Sequence, residues 1–332
     1  MNGPGLIDTV LDRSVIAGYT GIGYRMRERA WDPGDLARMD GRVVLVTGAT
    51  AGIGLAAAEG FARLGASVRI LARDPRRGER ARAGIAARSG NDDVEVELCD
   101  LSDLTSVRGF AERFSVQAPR LDVLVNNAGV LTGERILSAD GIELTLATNV
   151  LGPFLLTNML MGLLERCAPS RIVNVSSGGM YTQRLHVEDL QMACEEFDGP
   201  VAYARTKRIE VILTELWAER LKGAGVVVHA MHPGWVDTPG LAASLPRFHR
   251  LTRPLLRTPE QGADTIVWLG AASEPLCGSG QFWHDRHARP THHLPWTRES
   301  TEERERLWAQ CERLSGGATD QAPAPHDGPA ER

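Results

Sequence analysis

Tyr203 and Lys207 stand four positions apart in "VAYARTKRIE", a segment whose apolar spacing predicts an amphipathic helix. Residues four apart share one helix face, so the phenol and the ammonium come within reach of each other. A free phenol titrates at about 10, and a neighbouring cation favours the phenolate, so the pair has the makings of a tuned proton donor. The plainer reading is a packed ring beside a solvated charge, and a lone YxxxK does not decide between the two.

A second group of residues has the makings of a phosphate cradle. "VTGATAGIG" leads from an apolar strand into a helix and sets Gly48, Gly52 and Gly54 in the turn, with Thr50 and Ile53 among them. Glycine lets backbone approach a pyrophosphate closely, and the following helix offers free N–H groups and the positive end of its dipole. The strict G-x-G-x-x-G spacing is absent, and a tight turn that needs glycine for positive φ is the alternative. The next strand ends in "ILARDPRR", where a dinucleotide enzyme selects its ribose. Arg73 suits a 2′-phosphate, because its planar fork binds phosphate bidentately, whereas Asp74 would suit a free 2′-hydroxyl. NADP(H) is the expected cofactor and NAD(H) the alternative. At the third strand end, Asp100 and Leu101 in "ELCDLSD" are placed to border an adenine, unless the aspartate simply caps the next helix.

The elements that must carry these groups alternate along the chain. "RVVLVTG", "SVRILA", "VEVEL", "LDVLVN", "RIVNVSS" and "GVVVHAMHPG" are short, mostly apolar runs, as expected of parallel strands covered on both faces. Between them lie helical patterns, including "GIGLAAAEGFARLG", which stops at Gly65, and a long helix from Pro200 to Gly223. The tract "NVLGPFLLTNMLMGLLERC" is interrupted by Pro153, Thr157 and Asn158 and predicts a buried helix rather than a membrane span. Strands alternating with helices mean βαβ crossovers, hence an α/β fold with a Rossmann-type doubly wound parallel sheet of about seven strands, helices on both faces, in one domain. Ligands in that architecture collect at the carboxyl ends of the strands.

The glycine turn, "NNAG" (Asn126 to Gly129), "NVSS", "YARTK" and "HPGWVDT" fall in chain order at successive strand ends. Together they resemble the short-chain dehydrogenase/reductase superfamily over roughly residues 40 to 285, and "SSGGM", "HPGWVDTPG" and "QGADTIVWL" resemble its retinol-dehydrogenase-like branch. The resemblance implies an oxidoreductase that interconverts a carbonyl and an alcohol on a small molecule by hydride transfer. It implies Tyr203 as acid/base, Lys207 tuning it and holding the nicotinamide ribose, Ser177 rather than Ser176 at the substrate oxygen, and Asn149 supporting a proton-relay water. Asn127, Ala128 and Gly129 would pass beside the cofactor, and Pro233, Gly234 and Thr238 would cover its nicotinamide. A catalytically silent dinucleotide sensor or scaffold is the alternative class. The stretch from Ser177 to Tyr203 is longer than in the shortest members; the segments around Met180 to Pro200 and Pro239 to Arg257 would build the substrate pocket, and their Leu, Phe and Met content points to an apolar substrate.

The 332 residues divide into an extension (1–40) with an amphipathic helix, the dinucleotide-binding domain (41–285), a helical C-terminal segment (286–315) and a tail (316–332) expected to be disordered. Net charge is -5 with no sustained basic stripe, which argues against a nucleic-acid partner. Five scattered cysteines without a CxxC pair, and acidic residues among the first apolar positions, lead to a cytoplasmic expectation. "WHDRHARPTHH" is rich in histidine but lacks metal-ligand spacing, so no metal is expected. Leu6, Ile7, Val10, Leu11, Val15 and Ile16 form a stripe with Asp8 and Asp12 on its polar side. Such a stripe is expected to dock on the protein itself or on a second copy in a homo-oligomer, with peripheral membrane contact as the lesser reading.

Overall fold

In the computed structural model, described here over residues 14–316, the chain opens with two short helices, α1 (Val15–Tyr19) and α2 (Gly21–Glu28). Strand and helix then alternate as β1 (Val43–Thr47), α3 (Gly52–Arg63), β2 (Ser67–Ala72), α4 (Pro75–Ser89), β3 (Val94–Leu98), α5 (Leu104–Gln117) and β4 (Val123–Asn126). A helical turn at Leu144–Leu146 and a π turn at Ala147–Leu151 lead into α6 (Gly152–Arg166). The second half runs β5 (Ser170–Val175), α7 (Gly199–Arg220), β6 (Val226–Met231), α8 (Pro239–Ser244), α9 (Pro246–Thr252), α10 (Pro259–Ala271), β7 (Gln281–His284), β8 (His287–Arg289) and α11 (Thr301–Leu314).

The sheet has eight strands in the order β3-β2-β1-β4-β5-β6-β7-β8, parallel except for β8, which returns antiparallel along β7. Seven of them match the expected count. The eighth continues the sheet past residue 285 through a two-residue turn, Asp285–Arg286, both at positive φ (52° and 59°). Two non-glycine residues in that region are strained, and surrounding contacts must hold them there.

Helices cover both faces, and this is why the strands read as apolar runs: all five residues of β1 are buried. One core lies under α5, α6, α7 and α11, the other under α3, α4 and α10. The long apolar tract is part of the first, with Phe154, Leu156, Leu160 and Leu164 inaccessible. From β1 the chain winds outward to β3, then crosses back to β4 on the other side. The crevice at that reversal is where a doubly wound sheet presents ligands.

The predicted apolar stripe falls mainly on residues 1–13, and with the side chains of Val15 and Ile16 it lies outside the described residues, as does the tail from 317 on. Part of the remaining extension packs on the protein itself, while Ile22 and Met26 are exposed. Tyr19, Thr20, Tyr24 and Arg27 are buried, and Trp235 N donates to Tyr19 O at 2.7 Å.

Candidate active site

The first strand turns into α3 through Gly48 and Gly52, both at positive φ (65° and 56°). A Cβ on Gly48 would stand 2.9 Å from Ala128 Cα, and one on Gly54 would collide with the Asn127 amide and Gly48 O, so only glycine admits this closeness. The two strand ends are laced together: Thr47 Oγ1 accepts from Asn127 N at 2.9 Å and Ala128 N at 3.0 Å. Asp74, Asp103, Asp198, Thr258 and Ser300 cap α4, α5, α7, α10 and α11 by side-chain hydrogen bonds, whereas no side chain caps α3. Its first N–H groups are left for an anion. A cradle only glycine can form, ending in an uncapped helix, fits a dinucleotide pyrophosphate.

Around that turn the other predicted positions take their places. Arg73 is exposed just past β2, while the Asp74 carboxylate is engaged by Arg77 N at 3.0 Å. Asp100 does not cap α5, a task performed by Asp103; it accepts from Ser102 N and Oγ at 2.9 and 2.7 Å. Leu101 is buried and lies against Gly152. Thr50 and Ile53 are half-buried at the start of α3. Thr238 lies against Gly52 and caps α8 at Leu241 N, which carries the loop after β6 over the glycine turn. In that loop Pro233 O accepts from Arg257 at 3.3 Å, and Gly234 (φ 82°) lies directly on the same guanidinium.

Tyr203 and Lys207 share one face of α7, with the Lys207 ammonium 5.4 Å from the centre of the Tyr203 ring. Lys207 Nζ donates to Val175 O at 2.9 Å and to Glu210 Oε1 at 2.7 Å. Gly129 passes so near that a Cβ there would be 3.4 Å from Nζ and 3.5 Å from Asn149 Oδ1. Asn149 sits on the π turn, an irregularity frequent at functional sites, and binds the Val130 backbone through N (2.8 Å) and O (3.1 Å) and Thr206 Oγ1 at 3.0 Å. The serines separate clearly. Ser176 is buried and donates to Lys207 O at 2.7 Å, whereas Ser177 is half-buried beside the Tyr203 phenol.

One electrostatic expectation is corrected. Burial pushes the Tyr203 phenol up and outweighs the downward pull of Lys207; Glu210 pushes it further up, and Ser177 pulls it down. Lys207 is itself held above its usual range, because Glu210 and Tyr203 outweigh the burial that would lower it. Sequence reasoning missed Glu210 and also a buried ionic cluster behind the loop after β6. There Asp285 receives Arg27 and Arg257, and His232 and His284 stack at 4.8 Å. Tyr19 meets His232 edge-on at 4.3 Å, and His232 Nδ1 accepts from Gly178 N at 3.0 Å, next to Ser177. His284, within "WHDRHARPTHH", belongs to this cluster, and the described residues contain no group of His, Cys, Asp and Glu suited to a metal.

Known proteins are similar to this chain. The family model for short chain dehydrogenase matches residues 42–247. Dehydrogenase/reductase SDR family member 12 of Bos taurus is 42% identical over 303 residues, spanning 90% of this chain and 94% of its own. Retinol dehydrogenase 12 of Bos taurus is 40% identical, spanning 86% of this chain and 92% of its own. The crystal structure of a Beutenbergia cavernae protein described as a "putative NAD(P) dependent gluconate 5-dehydrogenase", with NADP bound at low occupancy, superposes with a TM-score of 0.61 at 29% identity, covering 74% and 95% of the two chains. By sequence over most of its length and by the fold that sets these residues at the strand ends, the chain belongs to the short-chain dehydrogenase/reductase family.

Proposed function

We propose that this family member is an NADP(H)-dependent oxidoreductase that interconverts a carbonyl and an alcohol on an apolar small molecule in the cytoplasm. The observation that carries the reading is the meeting of Tyr203, Lys207, Ser177 and Asn149 beside the glycine turn and Gly129. When bound, the dinucleotide supplies or accepts the hydride. Tyr203 then gives its proton to the substrate oxygen as negative charge gathers there, or takes it back in oxidation. Ser177 donates a hydrogen bond to that oxygen, a contact that strengthens towards the transition state. Lys207 holds positive charge beneath the phenol, and Asn149 fixes the loop at Val130 that borders the site. NADP(H) over NAD(H) is supported by the free guanidinium of Arg73 at the ribose-selecting strand end, by the engagement of Asp74 in capping α4, and by the NADP in the Beutenbergia protein. An apolar substrate is supported by the retinol dehydrogenase relatives.

The test is direct binding followed by turnover. NADPH and NADH are titrated by fluorescence, and oxidation of the preferred one is followed against apolar aldehydes and ketones. Tyr203→Phe is expected to keep cofactor binding and to lose roughly 10²–10⁴-fold in rate, the usual worth of a positioned acid. Equal turnover by the Tyr203 variant, or no binding of either dinucleotide, overturns the proposal.

A further inference from the structure

Glu210 lies one turn beyond Lys207 on α7, and both are enclosed, with side chains 10% and 3% exposed. A carboxylate taken so far from water is costly unless every lone pair is met. One oxygen is met by Lys207 Nζ at 2.7 Å; the other, Oε2, has no hydrogen-bond partner. Behind it lies a small recess, with room for about one water, bordered by Asn126, Asn149, Asn174 and Trp217. Asn126 Oδ1 on that wall is also buried without a partner, its Nδ2 being committed to Asn174 and Thr157. Two orphan acceptors on one small recess, whose remaining walls are Val150, Pro153, Leu213 and Trp217, mark a place for a proton donor between them. A structural contact to Lys207 would need only a neutral acceptor. A carboxyl that can change charge does more.

We propose that Glu210 is a positioning residue: by gaining and losing a proton at the recess behind it, it sets how much of the Lys207 charge reaches Tyr203. The proposal rests on the assignment of Tyr203 as acid/base. Burial pushes the Glu210 carboxyl up to about 7, with Lys207 opposing. The elements packed against it, β4, β5 and the π turn, present the neutral Asn126, Asn174 and Asn149, so Lys207 and, through it, Tyr203 are the titratable groups it addresses. As carboxylate, Glu210 neutralises Lys207 and raises the phenol. As neutral acid it leaves the ammonium unopposed, and the phenol falls.

Glu210→Gln keeps the acceptor for Lys207 and removes the charge. The phenol is titrated by near-ultraviolet tyrosinate absorbance, with the Tyr203→Phe trace subtracted, and the pH profile of alcohol oxidation is recorded where turnover is found. The Tyr203 midpoint is expected about one pH unit lower in Glu210→Gln, with the acid limb of oxidation moved the same way. Glu210→Asp, which keeps the charge, is expected to stay near the wild-type midpoint and serves if the glutamine variant does not fold. An unmoved midpoint in folded Glu210→Gln, a midpoint lowered equally by Glu210→Asp, or a loss of rate equal at every pH overturns the proposal. Absence of turnover in the wild-type protein would instead count against the enzyme assignment, because the phenol titration reports on Glu210 without it.

Discussion

Arg257 closes on Asp285 with both ends of its guanidinium, Nη2 standing 2.8 Å from Oδ2. The same arginine reaches the extension through Gly18 O at 2.8 Å and the loop after β6 through Pro233 O. Arg27 adds a second guanidinium to the carboxylate at 2.7 Å. One buried carboxylate thus joins the N-terminal helices, the β7–β8 turn and the loop expected to cover the nicotinamide. Removing its charge takes the shared carboxylate from two buried guanidiniums, and Asp285→Asn is expected to cost about 3–5 kcal/mol, read from the denaturation midpoint.

Acid should loosen the same cluster. Burial holds the His284 ring at about 4 against an unfolded value of 6.5, so the folded protein binds this proton later than the unfolded chain does. Its contribution is complete above about pH 6.5 and is lost as pH falls towards 4. Asp285 is held well below the carboxylate range, where His284, Arg257 and Arg27 outweigh the upward push of burial. Its contribution is complete above its unfolded value of 3.8 and fades below it. His232, stacked on His284, is lowered by burial in the same way, while the raised Glu210 carboxyl acts in the opposite sense between about pH 7 and 4.5. The loss of stability on acidification from about pH 7 to 4 is therefore expected to be smaller in His284→Gln than in the wild-type protein, read from melting temperature against pH.

The two adjacent serines should fail in different ways. Ser177→Ala removes a donor at the substrate oxygen and is expected to lower turnover about 10²–10³-fold, far beyond what the lost acceptor for Gly179 N takes from the melt. Ser176→Ala removes a buried hydrogen bond to Lys207 O and should cost about 1–3 kcal/mol of stability. Steady-state kinetics and thermal melts on both variants check the assignment, and a reversed pattern would exchange their roles.

The difference between what was legible in the sequence and what was not follows the range of the interactions. β1, β2 and β3 are readable because a strand covered by helices on both faces, or alternating at a sheet edge, states its burial in its own residues. Tyr203 and Lys207 are readable because one helical turn relates them. β8 was not expected, since Asp285 and Arg286 turn the chain without glycine, Asp285 held by Arg27 and Arg257 and Arg286 by Asp264. The π turn at Asn149 leaves no periodic trace. Glu210 passed unremarked because a glutamate on an amphipathic helix ordinarily faces water.

The cofactor choice turns on one exposed arginine. Arg73→Asp removes a phosphate fork and sets a second acid beside Asp74, so NADPH affinity should fall while NADH affinity holds or rises. Fluorescence titration of both dinucleotides checks it. Unchanged NADPH affinity would make Arg73 only a loop charge and shift attention to Arg77 and Arg80, which line a cleft with Thr50.

The extension should matter to both stability and catalysis. Tyr19 is buried against His232, His284 and Trp235, and its carbonyl accepts from Trp235 N in the loop that begins at Pro233. A Cβ on Gly178 would stand 2.7 Å from the Tyr19 ring, so the extension also backs the turn that presents Ser177. A chain beginning at Met39 loses these contacts and the Arg27–Asp285 pair, and it exposes His232, His284 and Arg257 to water. It is expected to melt lower, to aggregate more readily and to lose turnover beyond what the lower stability explains, because the serine turn and the nicotinamide loop lose their common support. Melting temperature, oligomeric state, turnover at a temperature where both forms are folded, and liposome co-sedimentation are compared for the two chains. An unchanged melt and rate, with liposome binding lost, would assign the extension to a membrane surface instead.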